Sequence, residues 1–256
     1  MIKAIFFDAD GTLISHKQNA VPASARAALA ALQQRGIRCI LATGRHITEV
    51  DVLPVSDITF DGYVTVNGQL CLDEQRHPLS DSPIAEEAMP TILRHFREKK
   101  VPIMLKEQDR LYINCVTDRL RATQADISTA VPPVDEHSGK PSYQAVYYIP
   151  EEEEDMLEEL RPLCFMTRWH RNGIDLIEKD GGKVRGIREY LDRSGIRIEE
   201  TMAFGDGHND IDMLRFVGIG VAMGNAGDDV KAEADYVTAS VDEDGIALAL
   251  RHFNLI

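Results

Sequence analysis

Three short apolar runs in this chain each stop at a polar, reactive side chain, and no other feature limits the possible fold as much. Ile2 to Phe7 ends at Asp8, Ile37 to Leu41 gives way to Ala42-Thr43-Gly44-Arg45, and Thr201 to Phe204 runs into Gly205-Asp206. Largely apolar runs of this length, interrupted only near their starts by Lys3 and Arg38, suit strands of a parallel sheet that is covered on both faces. Helical stretches separate them. Ala23 to Arg35 follows Pro22 and closes at Gly36, and Lys183 to Ser194 closes at Gly195. Further helices are expected after Arg45 before Pro54, from Asn209, over Asp228 to Ala234 and from Asp242, with a strand at Ile219 to Met223. This βα rhythm predicts an α/β fold: a Rossmann-like, three-layer core around a mainly parallel sheet.

One long stretch interrupts the rhythm. Tyr63 to Val66, Asn67-Gly68 and Gln69 to Leu72 have the alternation and turn dipeptide of a β-hairpin, expected as an antiparallel appendage. From 82 to 180 the pattern becomes paired strands between helices, with strands at Arg110 to Val116, Tyr143 to Ile149 and Ile174 to Glu178 and an acidic helix start at Glu151. The chain therefore divides into a discontinuous core, 1–81 and 181–256, and an inserted α+β domain, 82–180. A main domain plus one insertion suits 256 residues.

Composition narrows the function. Lys and Arg number 28 against 42 Asp and Glu, a formal charge of −14, and such a field repels nucleic acid and anionic membrane. A protein this acidic that handles phosphate must supply positive charge locally, from a metal ion and a few placed cations. The cysteines, Cys39, Cys71, Cys115 and Cys164, lack metal-ligand or disulfide spacing and are expected as buried thiols. The N-terminal apolar run is too short for a secretory signal or a membrane span, so a cytoplasmic protein is expected.

Ligands of open parallel sheets bind beyond the carboxyl ends of the strands, so Asp8, Thr43 and Asp206 imply one shared crevice. A single Asp after a strand is commonly a cap or turn residue, and it is the convergence that argues for chemistry. Calcium loops are excluded, because Leu13 and Ile211 stand where the EF-hand needs Gly and Asn19 where it needs Glu.

Together these residues resemble the haloacid dehalogenase superfamily, and within it the Cof-type branch of sugar and metabolite phosphatases. Asp8-Ala9-Asp10-Gly11-Thr12-Leu13 is similar to the first motif, Thr43 to the second, Lys183 to the third, and Gly205-Asp206-Gly207-His208-Asn209-Asp210 to the fourth. Val221 to Ala226 and Asp244 to Ala247 add likeness to that branch. Gly182-Lys183-Val184 departs from the usual neighbours of the third-motif Lys; Lys179 is the competing residue, but it precedes the helix that Lys183 opens.

The resemblance implies a Mg²⁺-dependent hydrolase acting on a small-molecule phosphate ester. It assigns the metal to the Asp8 and Asp206 carboxylates and the Asp10 carbonyl, with Asp210 behind them. Asp8 is the implied nucleophile and Asp10 the implied general acid. Thr43, Lys183, Asn209 and the amides of Ala9 and Gly44 are implied to hold the phosphoryl oxygens. The insertion corresponds to a type 2B cap that closes over substrate and sets selectivity. Arg45, His46, Asn114, Arg168 and His170 are polar enough to read a leaving group, although a solvated surface place suits each better. Two rivals use related chemistry, a phosphomutase and a non-enzymatic phosphorylatable signalling module.

Overall fold

The computed structural model describes residues 1–127 and 129–256. It comprises two compact units, Met1–Asp81 with Gly182–Ile256, and Ser82–Gly181. The core unit begins with β1 (Ala4–Phe7), α1 (Ala23–Gln34), β2 (Arg38–Ala42), α2 (Ile47–Val50), β3 (Gly62–Thr65), β4 (Leu70–Leu72) and β5 (Pro78–Asp81). The inserted unit holds α3 (Met89–Glu98), β6 (Ile103–Lys106), β7 (Leu111–Ile113), α4 (Asp118–Asp126), β8 (Gln144–Tyr147), β9 (Cys164–His170) and β10 (Gly173–Glu178). The core resumes with α5 (Lys183–Ser194), β11 (Thr201–Gly205), α6 (Ile211–Phe216), β12 (Ile219–Ala222), α7 (Asp228–Lys231), β13 (Tyr236–Val237) and α8 (Gly245–His252).

The core sheet has the order β13-β12-β11-β1-β2-β3-β4-β5. From β13 to β3 every pairing is parallel. β1 lies between β11 and β2, with Phe7 opposite Phe204 on one side and Leu41 on the other. That register brings the next residues of all three strands, the sequence's reactive positions, out along one edge. Every β1 residue is buried because the sheet is covered twice. Ile5, Phe7, Leu41 and Phe204 pack in one layer with α1 and α8, and Ala4, Phe6, Ile40 and Ala203 pack in the other with Ile187 and Tyr190 of α5. Phe7 stacks on Phe204 at 5.2 Å between centroids, so Phe7→Ala should cost about 3–5 kcal/mol. The site is thus mounted on strands buried on both faces.

The inserted unit is α+β, an antiparallel sheet of order β7-β6-β8-β10-β9 with its own apolar cluster around Ile92, Tyr112, Tyr147 and Leu176. Among the described residues no helix is long and apolar enough to cross a membrane.

Several expectations change. The hairpin at Asn67-Gly68 is no appendage, because β3 pairs in parallel with β2 and β4 and β5 extend the main sheet. The acidic segment Glu151–Leu157 forms a 3-10 helix rather than an α-helix. Its carboxylates are drawn sideways, Glu153 to Arg119 and Glu154 to Arg161 and Arg168, which relieves the repulsion of five adjacent like charges. β6, β9 and the short β13 also stand where the sequence suggested no strand. β9 is an edge strand with only Cys164 buried, so it lacks the apolar run that marks a central strand.

Candidate active site

Asp8 follows β1 and its carboxylate is largely buried. Lys183, the first residue of α5, is fully enclosed, and its ammonium donates to Asp8 Oδ1 at 2.6 Å, Asp210 Oδ1 at 2.6 Å and the Ala42 carbonyl at 2.7 Å. Carboxylate oxygens of Asp8, Asp206 and Asp210 lie within 4.8 Å of one another. Lys179 instead donates to the Pro162 carbonyl and takes no part.

Three carboxylates therefore face one ammonium. Burial, aided by the Asp210, Asp206 and Asp10 charges and opposed by Lys183, pushes the Asp8 carboxyl well above its usual range. Burial and then the Asp210 charge push Asp206 up to about 7. For Lys183 burial acts downward, but Asp210 and Asp8 outweigh it and hold the proton more firmly than usual. The surplus of negative charge is what a divalent cation would neutralise.

The donor set is hard oxygen only, which suits Mg²⁺. Asp206 is pre-set for the task, its Oδ1 accepting from the Thr12 hydroxyl at 2.8 Å and its Oδ2 from the Asn225 amide at 3.2 Å. Asp210 has less to offer, since its Oδ2 already accepts the Asp206 and Gly207 backbone N–H groups and its Oδ1 the Lys183 ammonium. It shapes the loop that presents Asp206. Gly11 is obligatory here: its φ is +83° and a Cβ there would sit 2.2 Å from Asp206 Oδ2.

Thr43 is buried after β2, tied by its N–H to the Val64 carbonyl, and its hydroxyl accepts the Arg45 N–H. Ala9 is buried in the turn that follows Asp8, its carbonyl accepting from Leu13 and Ile14. Asn209 lies in the 3-10 turn His208–Asp210 and donates to Asn67 Oδ1 at 3.1 Å. Asp10 meets Arg45, whose guanidinium takes both its oxygens at 2.9 and 3.0 Å and also approaches Glu49 at 3.6 Å.

That Arg45 contact corrects the surface role expected for it. His46 is likewise buried and caps α2 through its ring nitrogen. Asn114 is buried in the insertion, bonded to Ile103, Phe96 and Val101 backbone groups. Arg168 holds Glu154 and three backbone carbonyls, and His170 faces Asp126. Sequence reasoning gave no role to Thr12, Asn67 or Asn225. Asn225 follows β12, so its place beyond a strand's carboxyl end was the available signal.

The family model for haloacid dehalogenase-like hydrolases matches residues 5–250. The Bacillus subtilis protein YkrA, which carries a provisional phosphatase name, is 34% identical over 99% of this chain and 98% of its own. The subclass IIB sugar phosphatase BT4131 superposes with a TM-score of 0.90 at 37% identity, over 99% of this chain and 100% of its own. BT1666 from Bacteroides thetaiotaomicron, a phosphatase of the same superfamily, does so with a TM-score of 0.90 at 32% identity, over 100% and 96%. With a matching family model across nearly its whole length and phosphatases as full-length relatives, the chain belongs to the haloacid dehalogenase-like hydrolases, as a phosphatase of the Cof-type branch.

Proposed function

We propose that this phosphatase is Mg²⁺-dependent and hydrolyses a small phosphorylated metabolite through a phospho-aspartate on Asp8. The observation that carries the reading is the cluster itself: Asp8, Asp206 and Asp210 within 4.8 Å, with the Lys183 ammonium bonded to two of the three. Asp8, Asp206 and the Asp10 carbonyl would hold the ion. Bound Mg²⁺ supplies the charge that allows a carboxylate to approach a phosphate dianion.

In the first step an Asp8 oxygen bonds to phosphorus and the bond to the ester oxygen breaks, while Asp10 gives its proton to the leaving alcohol. In the second, water attacks the phosphoryl group and passes a proton to Asp10, and the bond to Asp8 breaks to restore the carboxylate. Thr43, Asn209, Lys183 and the Ala9 and Gly44 amides steady the phosphoryl oxygens through both steps. BT4131 is described as a sugar phosphatase, and YbhA of Escherichia coli, 25% identical over 96% of this chain, as a pyridoxal phosphate phosphatase. These names favour a small hydroxylated phosphate monoester, with selectivity assigned to the inserted unit acting as a cap.

The test is a panel of sugar, nucleotide and cofactor phosphates with Mg²⁺ and then with chelator, together with acid-quenched protein from a radiolabelled ester. Metal-dependent turnover and label on the wild type, absent from Asp8→Asn, is the expected result. Turnover indifferent to chelation, or label without turnover, would overturn it, and a requirement for a bisphosphate activator would point to a mutase.

A further inference from the structure

The turn between β3 and β4 is built in an unusual way. Val66, Asn67 and Gly68 have φ of 54°, 51° and 87°, three successive residues in the left-handed region. Gly adopts it freely and Asn tolerates it, but a buried β-branched Val there is a true outlier that persists only where its surroundings impose it. Those surroundings are the motifs. Val66 N–H donates to the Arg45 carbonyl at 3.0 Å and Asn67 N–H to the Thr43 carbonyl at 3.1 Å, which locks the turn onto the segment carrying Thr43.

The other two residues reach the remaining motifs. A Cβ on Gly68 would lie 2.2 Å from the Gly182 carbonyl and 3.0 Å from Lys183 Cα, so only a bare backbone fits against the start of α5. A Cβ on Gly44 would come within 3.0 Å of Asn67 Oδ1, so the Asn67 amide lies against the Gly44 backbone. That same Oδ1 accepts the Asn209 amide at 3.1 Å. An amide NH₂ has two hydrogens, and with one given to Asn67 the rotation of the Asn209 side chain is fixed and the second hydrogen is left for another acceptor.

We infer that Asn67 is a positioning residue for phosphoryl transfer: it orients the Asn209 amide beside Gly44 on a strained turn that also spaces Thr43 from Lys183. The inference rests on the phosphatase reading above. It acts through Asn209, and that dependence makes it measurable.

Asn67→Gly keeps a residue at ease in the left-handed region and removes the accepting oxygen. On an activated aryl phosphate with Mg²⁺, kcat/KM should fall about tenfold, the effect of losing one orienting hydrogen bond. In an Asn209→Ala background the same change should cost less than about twofold, because the coupled partner has gone. Equal losses in both backgrounds, or full activity of Asn67→Gly, overturn the inference. If Asn67→Gly does not fold, Asn67→Asp keeps the size and the oxygen and adds a negative charge. It should weaken inorganic phosphate binding to the Mg²⁺-loaded protein by about tenfold or more, and unchanged phosphate affinity overturns the inference. A wild type that binds phosphate but turns over no ester defeats the catalytic reading alone; the two-background comparison, read by phosphate affinity, still decides Asn67.

Discussion

Each unit buries a charged cluster, and the two clusters are balanced in opposite directions. In the core Asp8 and Asp210 share the Lys183 ammonium with Asp206 beside them, and burial pushes Asp8 and Asp206 upward. In the insertion the single carboxylate of Glu107, fully buried, receives the Tyr112 hydroxyl at 2.7 Å, the Ser138 hydroxyl at 2.7 Å and the Arg110 guanidinium at 2.9 Å. Burial acts upward there too, but the Arg110, Tyr112 and Ser138 hydrogen bonds prevail and hold the carboxyl down at about 2. Arg110 also lies over the Tyr112 ring at 4.2 Å. An anion with more donors than it needs serves packing. A group of anions short of a cation is the kind of perturbation found at working sites, and it supports the proposed metal site.

The comparison breaks most decisively at Asp8. With Asp8 as the proposed nucleophile, Asp8→Asn should reduce kcat about 10⁴-fold or more, the effect of losing a covalent catalyst. Removing a charge from a crowded anionic cluster should at the same time leave the metal-free protein melting no lower than the metal-free wild type, as read by calorimetry. A clear fall in melting temperature would mean that Asp8 stabilises the core as Glu107 stabilises the insertion.

At Glu107 the expected sign is reversed. Glu107→Ala removes the buried acceptor shared by the Tyr112 and Ser138 hydroxyls and by the one-third-exposed Arg110, which keeps Asp135, and should destabilise the insertion by about 3 kcal/mol in urea titrations, with turnover of an activated aryl phosphate within twofold of wild type. Trp169, the single tryptophan, lies in the insertion and reports on that unit by fluorescence. The same ion pair sets a pH dependence. A carboxyl at about 2 when folded and near 4.5 when unfolded contributes stability that is complete above about pH 4.5 and lost as pH falls toward 2. Urea midpoints by Trp169 fluorescence should drop across that window and should drop less in Glu107→Gln, where contributions such as those of Glu153 and Glu154 remain.

Mg²⁺ sharpens the contrast from the core side. At one hundred times its dissociation constant it should stabilise the wild type by about 2.7 kcal/mol, while Asp206→Asn should lose most of that gain. An equal gain in both proteins would place the ion elsewhere. The smallest effect expected is that of Tyr112→Phe, which removes one hydrogen bond to a charged acceptor and should cost about 1.5 kcal/mol of stability without altering kcat.

How much was legible follows from which interactions are local. The apolar runs that became β1, β2 and β11, and Gly36 and Gly195 at the ends of their helices, are set by period and turn chemistry within a few residues, so the α/β core could be read directly. Strand ends are local as well, and with the motif resemblance they led to Asp8, Thr43 and Asp206, while Lys183 was found as the residue that opens α5. Chain folding alone decided the partners. The Lys183–Asp8 bond joins residues 175 apart and the Asn209–Asn67 bond residues 142 apart, and neither leaves a trace in hydrophobic period. Arg45 looked like a surface cation until the β2 loop set it on Asp10, and Asn67-Gly68 looked like an ordinary hairpin turn until β3 joined the parallel sheet and pressed it against Gly44 and Gly182. Sequence determines where chain direction and polarity change, because those depend on neighbouring residues; which polar groups then share a buried space depends on how distant segments pack, and only the tertiary structure determines that.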